Sequence, residues 1–115
     1  MQVAQGGYPY TVVRPDELRR RFELQEPFAV VDARSDENRR ESGRTIPGAV
    51  RIPPAELENR LEDLPRGRTL LLLADLHEQA ERAQQLVRHG VTDVWVIEGG
   101  FEAFARAGGD TVSIS

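Results

Sequence analysis

Residues 70–78 read LLLLADLHE, so that four consecutive leucines run directly into a polar segment beginning at Asp75. An apolar run of this length predicts a β-strand that is covered on both faces and lies near the centre of a sheet. A helical spacing of apolar residues follows from about Leu76 to His89, and Gly90 is expected to end that helix. The residues of this helix that we expect in the core are Ala80, Ala83, Leu86 and Val87.

Apolar runs of strand length alternate with helical patterns along the rest of the chain. Such alternation predicts an α/β fold with a mostly parallel sheet and helices on both faces. The predicted strands, in chain order, are Tyr10–Val13, Phe28–Asp32, Val50–Ile52, Leu70–Leu73 and Val94–Ile97. Four other helices are predicted. The first starts near Pro15 and has Leu18, Phe22 and Leu24 on its apolar side, and the second is capped by Ser35 and ended by Gly43. The third follows Pro54 and contains Leu57, Leu61 and Leu64, and the fourth is short and contains Phe101, Phe104 and Ala105.

The chain of 115 residues is long enough for one domain with a single core, which we place at residues 10–115. Residues 1–9 are rich in Gly and Gln and are expected to be loosely ordered, and a turn is expected at residues 65–67. The sequence contains no apolar run of about 18 residues and no basic segment followed by an apolar one near Met1. We therefore expect a cytoplasmic protein that does not bind a membrane.

The charge pattern argues against a nucleic-acid partner. The net charge is −4, and acidic and basic residues are interspersed rather than gathered on a basic face. The dense basic run Arg19–Arg21 follows Asp16 and Glu17 on a predicted helix, which favours a solvated helix face over a phosphate-binding track. The chain contains no cysteine, so disulfides and thiolate metal sites are excluded.

Three segments, taken in order and spacing, resemble the rhodanese-like domain family. Residues 30–34, VVDAR, resemble the family's D-x-R strand end, and residues 43–49, GRTIPGA, resemble its G-H-I-P-G-A turn, with Thr45 at or near the family's histidine. Residues 94–104, VWVIEGGFEAF, resemble its V-Y-V-L-E-G-G-F-x-A-W closing element. The resemblance covers residues 10–110, approximately, and implies a single domain with a five-stranded, largely parallel sheet flanked by helices.

The resemblance also implies where the family's nucleophile would stand. In the family, the strand equivalent to Leu70–Leu73 ends in a cysteine that carries a transferable sulfur, and the next loop holds an anion with backbone amides and an arginine. Counting back from Gly90 places the cysteine position at Leu73, or at Ala74 after a one-residue deletion, and neither side chain is a nucleophile. The vestigial active-site loop thus consists of Leu73, Ala74, Asp75, Leu76, His77, Glu78 and Gln79, with Leu76 near the family's glycine and Glu78 near its arginine.

The altered loop changes the electrostatics expected at this turn. Asp75 and Glu78 have the D-x-x-E spacing of a capping box, in which Asp75 would accept from the amide of Glu78 and Glu78 from the amide of Asp75. These carboxylates, together with Glu81, would occupy the positive end of the helix and repel thiosulfate or phosphate. We therefore predict that the family's anion site is closed in this chain.

Three side chains near the loop are candidates for other roles. His77 is predicted to face solvent, and the alternative is a general base or a metal ligand completed by Asp32 and the neighbouring acids. Asp32 and Arg34 are candidate crevice-binding residues, because carboxyl ends of parallel strands line crevices. The structural alternative for Asp32 is to accept hydrogen bonds from the following loop. For Arg34 it is an ion pair with one of three acids, Asp36, Glu37 or Glu98.

These patterns predict a rhodanese-like domain that does not transfer sulfur and acts as a binding or regulatory module for a protein partner, with no metal and no cofactor. The recognition surface would be the crevice near Asp32, Arg34, Asp75, Leu76 and His77. One alternative is a repurposed enzyme that uses His77 and nearby carboxylates, and another is a structural or oligomer-forming domain. A sulfurtransferase label would then describe ancestry. The sequence sets neither the partner's identity nor the oligomeric state.

Overall fold

A computed structural model of the chain describes residues 9–64 and 67–114. Five strands form a sheet in the order β1-β6-β5-β2-β4, and every pair in it is parallel. The predicted loose N-terminus, apart from Pro9, lies outside the described residues, as do Pro65 and Arg66 of the predicted turn. The strands are β1 (Thr11–Val13), β2 (Phe28–Asp32), β3 (Arg44–Thr45), β4 (Val50–Arg51), β5 (Thr69–Leu73), β6 (Val94–Ile97) and β7 (Val112–Ser113).

The helices cover both faces of this sheet, which confirms the predicted fold class. The α-helices are α1 (Pro15–Glu23), α2 (Asp36–Ser42), α3 (Gln79–Arg88) and α4 (Gly100–Arg106). Three segments form 3₁₀-helix, namely Pro54–Glu56, Glu58–Asp63 and Leu76–Glu78. None of the helices in residues 9–64 and 67–114 is both long enough and apolar enough to cross a membrane.

The four leucines of β5 supply both halves of the core, because successive side chains of a strand point to opposite faces. Leu70 and Leu72 pack with Ala83 and Leu86 of α3, and with the leucines in and beside the 3₁₀ segment Glu58–Asp63, namely Leu57, Leu61 and Leu64. Leu71 and Leu73 pack on the other face, where α1 and α4 contribute Leu18, Phe101 and Phe104. Strand β5 is the middle strand of the five, as the sequence predicted, and its leucines are almost fully buried.

The predicted limits of α2 are confirmed by its two caps. The hydroxyl of Ser35 accepts a hydrogen bond from the amide of Asn38 at 3.1 Å. Gly43 ends the helix with φ of 69°, in the left-handed region that a residue without a Cβ atom adopts at little cost. This short helix forms one wall of the cleft described below, and its limits along the chain follow from local sequence.

Several details of the predicted helices are wrong. Leu24 lies just after the end of α1 and is 61% exposed, because the chain turns away at Gln25 with φ of 63°. Ala80 is exposed as well, because the core contacts of α3 begin at Ala83. The segment after Pro54 is 3₁₀-helix with a kink at Arg60, although Leu57 and Leu64 are buried as expected.

Strands β3 and β7 form a second, two-stranded sheet that the sequence patterns did not predict. These strands pair antiparallel, with Arg44 opposite Ser113 and Thr45 opposite Val112. The guanidinium of Arg44 also donates to the hydroxyl of Thr111 at 2.6 Å. Just before β7, Gly109 lies so close to Phe104 that a Cβ atom on Gly109 would stand 2.3 Å from the ring. The segment after α4 is thereby fixed to the beginning of the G-R-T-I-P-G-A turn.

Candidate functional site

A cleft of about 600 Å³ opens at the carboxyl ends of the central strands. Its walls are α2, the turn that follows β5, and the beginning of α4. Clefts of this size at strand ends are the usual place for a ligand in a parallel α/β sheet. The lining residues are Arg34, Asn38, Glu41, Ser42, Ala74, Asp75, Leu76, Gly99, Gly100, Phe101, Glu102 and Arg106.

Asp32, at the end of β2, is the most enclosed carboxylate near the cleft, with 1% of its surface exposed. The guanidinium of Arg34 holds both carboxylate oxygens, with Nε to Oδ1 at 2.9 Å and Nη2 to Oδ2 at 2.8 Å. Arg39 and the hydroxyl of Thr45 donate to Oδ2 at 3.1 and 2.9 Å. A bidentate pair of this kind fixes geometry as well as charge. Asp32 is therefore fully engaged within the fold.

Burial alone would raise the pKa of Asp32, but the surrounding donors outweigh it. The hydrogen bonds from Arg34 and Thr45, together with the charge of Arg34, hold the pKa of the carboxyl below its usual range. The amide of Arg34 also donates to Asp32 Oδ1 at 3.3 Å, so the predicted role of accepting from the following loop is confirmed. The group stays ionised at neutral pH and serves as the anchor of the loop.

Arg34 lies at the back of the cleft and not on its rim. It is 4% exposed, its guanidinium stacks 4.4 Å from the centroid of the Phe101 ring, and Nη2 donates to the carbonyl of Arg44 at 2.8 Å. The predicted ion pair of Arg34 with Asp36, Glu37 or Glu98 is wrong, because Arg34 pairs with the buried Asp32 instead. Its charge is already matched when a ligand arrives.

The predicted capping box at the turn after β5 is also wrong. Asp75 makes no side-chain cap, and the amide of Glu78 bonds instead to the backbone carbonyl of Asp75 at 2.8 Å. The Asp75 carboxylate turns across the cleft floor and accepts from the amide of Ser35 at 2.9 Å. Glu78 pairs with Arg82 at 3.2 Å, one helical turn further on. A tertiary partner, 40 residues away in sequence, replaces the local one that the spacing suggested.

Asp75 nevertheless keeps negative charge at this turn. Burial raises its pKa, but the hydrogen bonds from Ser35 and Asn38 and the nearby His77 outweigh that effect and lower the pKa below the usual range. The carboxyl is 8% exposed and is one of the residues that line the cleft. The side chain therefore keeps a fixed negative charge in the cleft.

The remaining loop residues divide into buried and exposed ones. Leu73 and Ala74 are buried, and Gln79 donates to the carbonyl of Ile97 at 2.9 Å, which joins α3 to the end of β6. Leu76 is 61% exposed on the cleft wall beside Gly100. The side chain of His77 is 79% exposed, and its nearest acid is Glu78 at 3.8 Å.

The described residues do not provide a set of ligands for a metal ion at His77. Within residues 9–64 and 67–114, no group of three or more His, Asp or Glu side chains is placed to hold a metal ion. Asp32 is held by arginines, and Asp75 by Ser35 and Asn38. The sequence suggested that these acids could join His77 in a metal site, but their side chains bond to other residues instead.

Four residues of the site did not emerge as candidates from the sequence. Thr45, which stands at or near the family's histidine, bonds to Asp32 and so supports the strand end. The others are charged side chains on two walls of the cleft, Glu41 on α2 and Glu102 and Arg106 on α4. Only their helical positions were visible in sequence, because nothing local shows that α2 and α4 border one cleft.

Comparison with known proteins agrees with this geometry. The crystal structure of the Alr3790 protein from Anabaena sp. is 25% identical, with a TM-score of 0.74, and the match covers 88% of this chain and 82% of that one. SSP1007 from Staphylococcus saprophyticus is 26% identical, with a TM-score of 0.69 and coverage of 81% and 91%. A rhodanese-related protein from Thermoplasma volcanium shares the fold at 18% identity, with a TM-score of 0.71 and coverage of 88% and 96%. No curated protein matches the chain.

The family model described as "Rhodanese-like domain" matches residues 14–107. This range includes the sheet from β2 to β6, the cleft and the loop after β5. The strand order, the closing turn at Gly99–Gly100 and the position of the cleft are consistent with that match. The chain therefore belongs to the rhodanese-like domain family, as a member that contains no cysteine.

Proposed function

We propose that this domain is a non-catalytic module that binds a segment of a partner protein in the cleft. The observation that carries the proposal is the composition of the turn after β5. By the resemblance, the family's cysteine would stand at Leu73 or at Ala74. Both side chains are buried and neither is a nucleophile, and ionised Asp75 follows them. The cleft persists, but the nucleophile that would use it is missing.

Sulfur transfer has no chemical basis in this site. The reaction requires a thiolate that attacks the donor and carries the sulfur, and no side chain in the sequence supplies one. The guanidinium nearest the cleft floor belongs to Arg34, and its charge is matched by Asp32. An incoming thiosulfate would therefore meet the Asp75 carboxylate without a free cation on the floor to offset it.

A protein segment fits the cleft better than a small anion does. Exposed leucines are common on folded proteins, so Leu76 alone would carry little weight. Here it stands on the wall of a cleft that also contains exposed Glu41 and Glu102. Apolar contact combined with charged groups at the edge is the usual composition of a protein recognition site.

Two measurements test the proposal. The first is thiosulfate:cyanide sulfur transfer by the purified domain, which we expect to equal that of a boiled control. Transfer above that control would overturn the non-catalytic assignment. The second is co-purification from the native cell with wild-type protein and with Leu76→Glu, in which a specific partner should be recovered only with the wild type. Leu24→Glu is the matched control, because Leu24 is equally exposed at 61% and does not line the cleft.

An enzyme centred on His77 is less well supported than a binding module. Among the described residues, the acid that His77 contacts within 4 Å is Glu78, at 3.8 Å. Metal analysis of the wild type and of His77→Ala is the decisive measurement for that alternative. Stoichiometric metal that is lost with His77 would favour the enzyme over the module. A cytoplasmic location and the exclusion of nucleic-acid and membrane partners stay predictions from composition.

A further inference from the structure

The charged side chains that line the cleft differ in whether they are already paired. Arg34 is bonded to Asp32, and Asp75 accepts from Ser35. Glu41, Glu102 and Arg106 make no ion pair and no side-chain hydrogen bond with any other residue in the described ranges. Unpaired charges at the edge of a cleft are the groups that a charged partner can engage without breaking the fold.

The sum of these charges is acidic. Three carboxylates line the cleft, those of Glu41, Asp75 and Glu102, and Arg106 is the one lining guanidinium in the described residues that Asp32 does not hold. The hydrogen bonds that Asp75 accepts, from Ser35 and Asn38, come from uncharged donors. A ligand that carried negative charge would add to this excess, whereas a cation would reduce it.

We propose that the segment bound in the cleft is cationic, with arginine or lysine side chains next to an apolar one. The apolar side chain contacts Leu76, and the basic ones meet Glu41 on α2 and Glu102 on α4. This inference rests on the proposed function and adds the chemistry of the partner. A flexible or extended segment suits the site, because the cleft volume of about 600 Å³ admits a few side chains and not a folded surface.

A second copy of this chain is a weaker candidate for the occupant. Its densest basic run, Arg19–Arg21, lies on α1, where each arginine already pairs with an acid. The acids that hold them are Glu17, Glu23 and Glu26. Presenting this run to another copy would require those pairs to break, so we assign the cleft to a different protein.

The test is an amide NMR titration with two synthetic peptides of equal length. The cationic probe is acetyl-Gly-Arg-Leu-Arg-Leu-Gly-amide, and in the acidic probe glutamate replaces both arginines. We expect the cationic probe to shift amides of α2, the turn after β5 and α4, and to bind more weakly as salt is raised. The acidic probe should leave those amides unchanged.

Variants separate the cleft from general attraction to a negatively charged protein. The double substitution Glu41→Gln and Glu102→Gln should weaken binding of the cationic probe by about three- to tenfold, the effect of losing two exposed charge pairs. Glu62→Gln with Glu81→Gln is the matched control, since both glutamates are exposed and neither lines the cleft. The control should bind as the wild type does.

Several results would overturn the inference while leaving the proposed function intact. These are equal binding of the two probes, no amide shift with the cationic probe up to millimolar concentration, or a double variant that binds like the control. Shifts of the same amides on concentrating the protein alone would assign the cleft to a second copy instead. Sulfur transfer above the boiled control, in contrast, would overturn the proposed function itself.

Discussion

Asp32 and Asp75 are buried carboxylates near the ends of the neighbouring strands β2 and β5, and they are stabilised in different ways. The Asp32 carboxylate accepts hydrogen bonds from two arginines, Arg34 and Arg39, and from the hydroxyl of Thr45. The Asp75 carboxylate accepts a hydrogen bond from the amide of Ser35 and has no arginine partner among the residues that the structure describes. Both carboxyls have a lowered pKa against the opposing effect of burial, but only the charge of Asp32 is cancelled by its neighbours.

The difference separates a carboxylate whose charge is offset by arginines from one whose negative charge remains in the cleft. A buried carboxylate with matched charge holds loops together and presents little field to the outside. A buried carboxylate held by uncharged donors keeps its negative field within the cleft. The comparison predicts that the two aspartates differ in their effect on stability, and the substitutions below measure that difference.

The largest effect is expected for Asp32→Ala. The substitution leaves the nearly buried Arg34 without its counter-ion, and removing one partner of such a pair costs about 3–5 kcal/mol. Urea denaturation should show this loss. Asp36→Ala is the matched control, because the Asp36 side chain is 77% exposed in its pair with Arg51 and an exposed pair contributes about 1 kcal/mol or less. Equal losses for the two variants would mean that Asp32 is no anchor.

A smaller effect is expected for Asp75→Ala. The amide of Ser35 loses its acceptor, and leaving a partly buried donor unsatisfied costs about 1–3 kcal/mol. Asp75→Asn keeps an acceptor oxygen at the same place and should cost less than Asp75→Ala in the same urea measurement. If Asn and Ala were equally destabilising, the contribution of Asp75 would come from its charge and not from this hydrogen bond.

The pH dependence of stability should show the contribution of both aspartates. Because the folded-state pKa of each is lowered, each stabilises the fold above its unfolded pKa, about 3.9, and that contribution disappears as pH falls through the folded pKa. The free energy of unfolding should therefore fall on acidification below about pH 4. Asp75→Asn should lose less on acidification than the wild type, and Asp110→Asn, a change at an exposed aspartate, should follow the wild-type curve.

The smallest effect is expected for Glu78→Ala. With no capping box, the substitution removes the pair of Glu78 with Arg82, worth about 0.3–0.5 kcal/mol, and its 3.8 Å contact with the exposed His77. A true cap at this helix would cost about 1 kcal/mol. Thermal unfolding with Glu81→Ala as a neighbouring surface control measures the difference. A loss of about 1 kcal/mol would indicate that Glu78 does act in the capping box that the sequence suggested.

Sequence predicted those parts of the fold that depend on local patterns. The run Leu70–Leu73 shows its burial through its composition, and Ser35 and Gly43 mark the ends of α2 because caps use residues close in sequence. The order of the family segments placed the strand ends, and hence the crevice at Asp32. The missing thiol was visible from composition alone.

The rest depends on contacts between residues far apart in sequence. Asp75 had a plausible partner three residues away, but it bonds to Ser35, 40 residues away. Arg34 is a different case, because it pairs with Asp32 only two residues away, and sequence alone does not tell which neighbouring acid a guanidinium reaches. Leu24 and Ala80 fit a helical period, but the period does not tell where a helix leaves the core. Glu41 and Glu102 became candidates only when α2 and α4 were seen to enclose one cleft.

The ribbon formed by β3 and β7 constrains the order of events when the protein is made. Arg44 and its partner Ser113 are 69 residues apart, so a growing chain cannot close this pairing until residues 111–114 have left the ribosome. Central strands β2 and β5 can pair earlier, because all their residues are already available. The pairing of β3 with β7 is therefore one of the last contacts in the described part of the fold to become possible during synthesis.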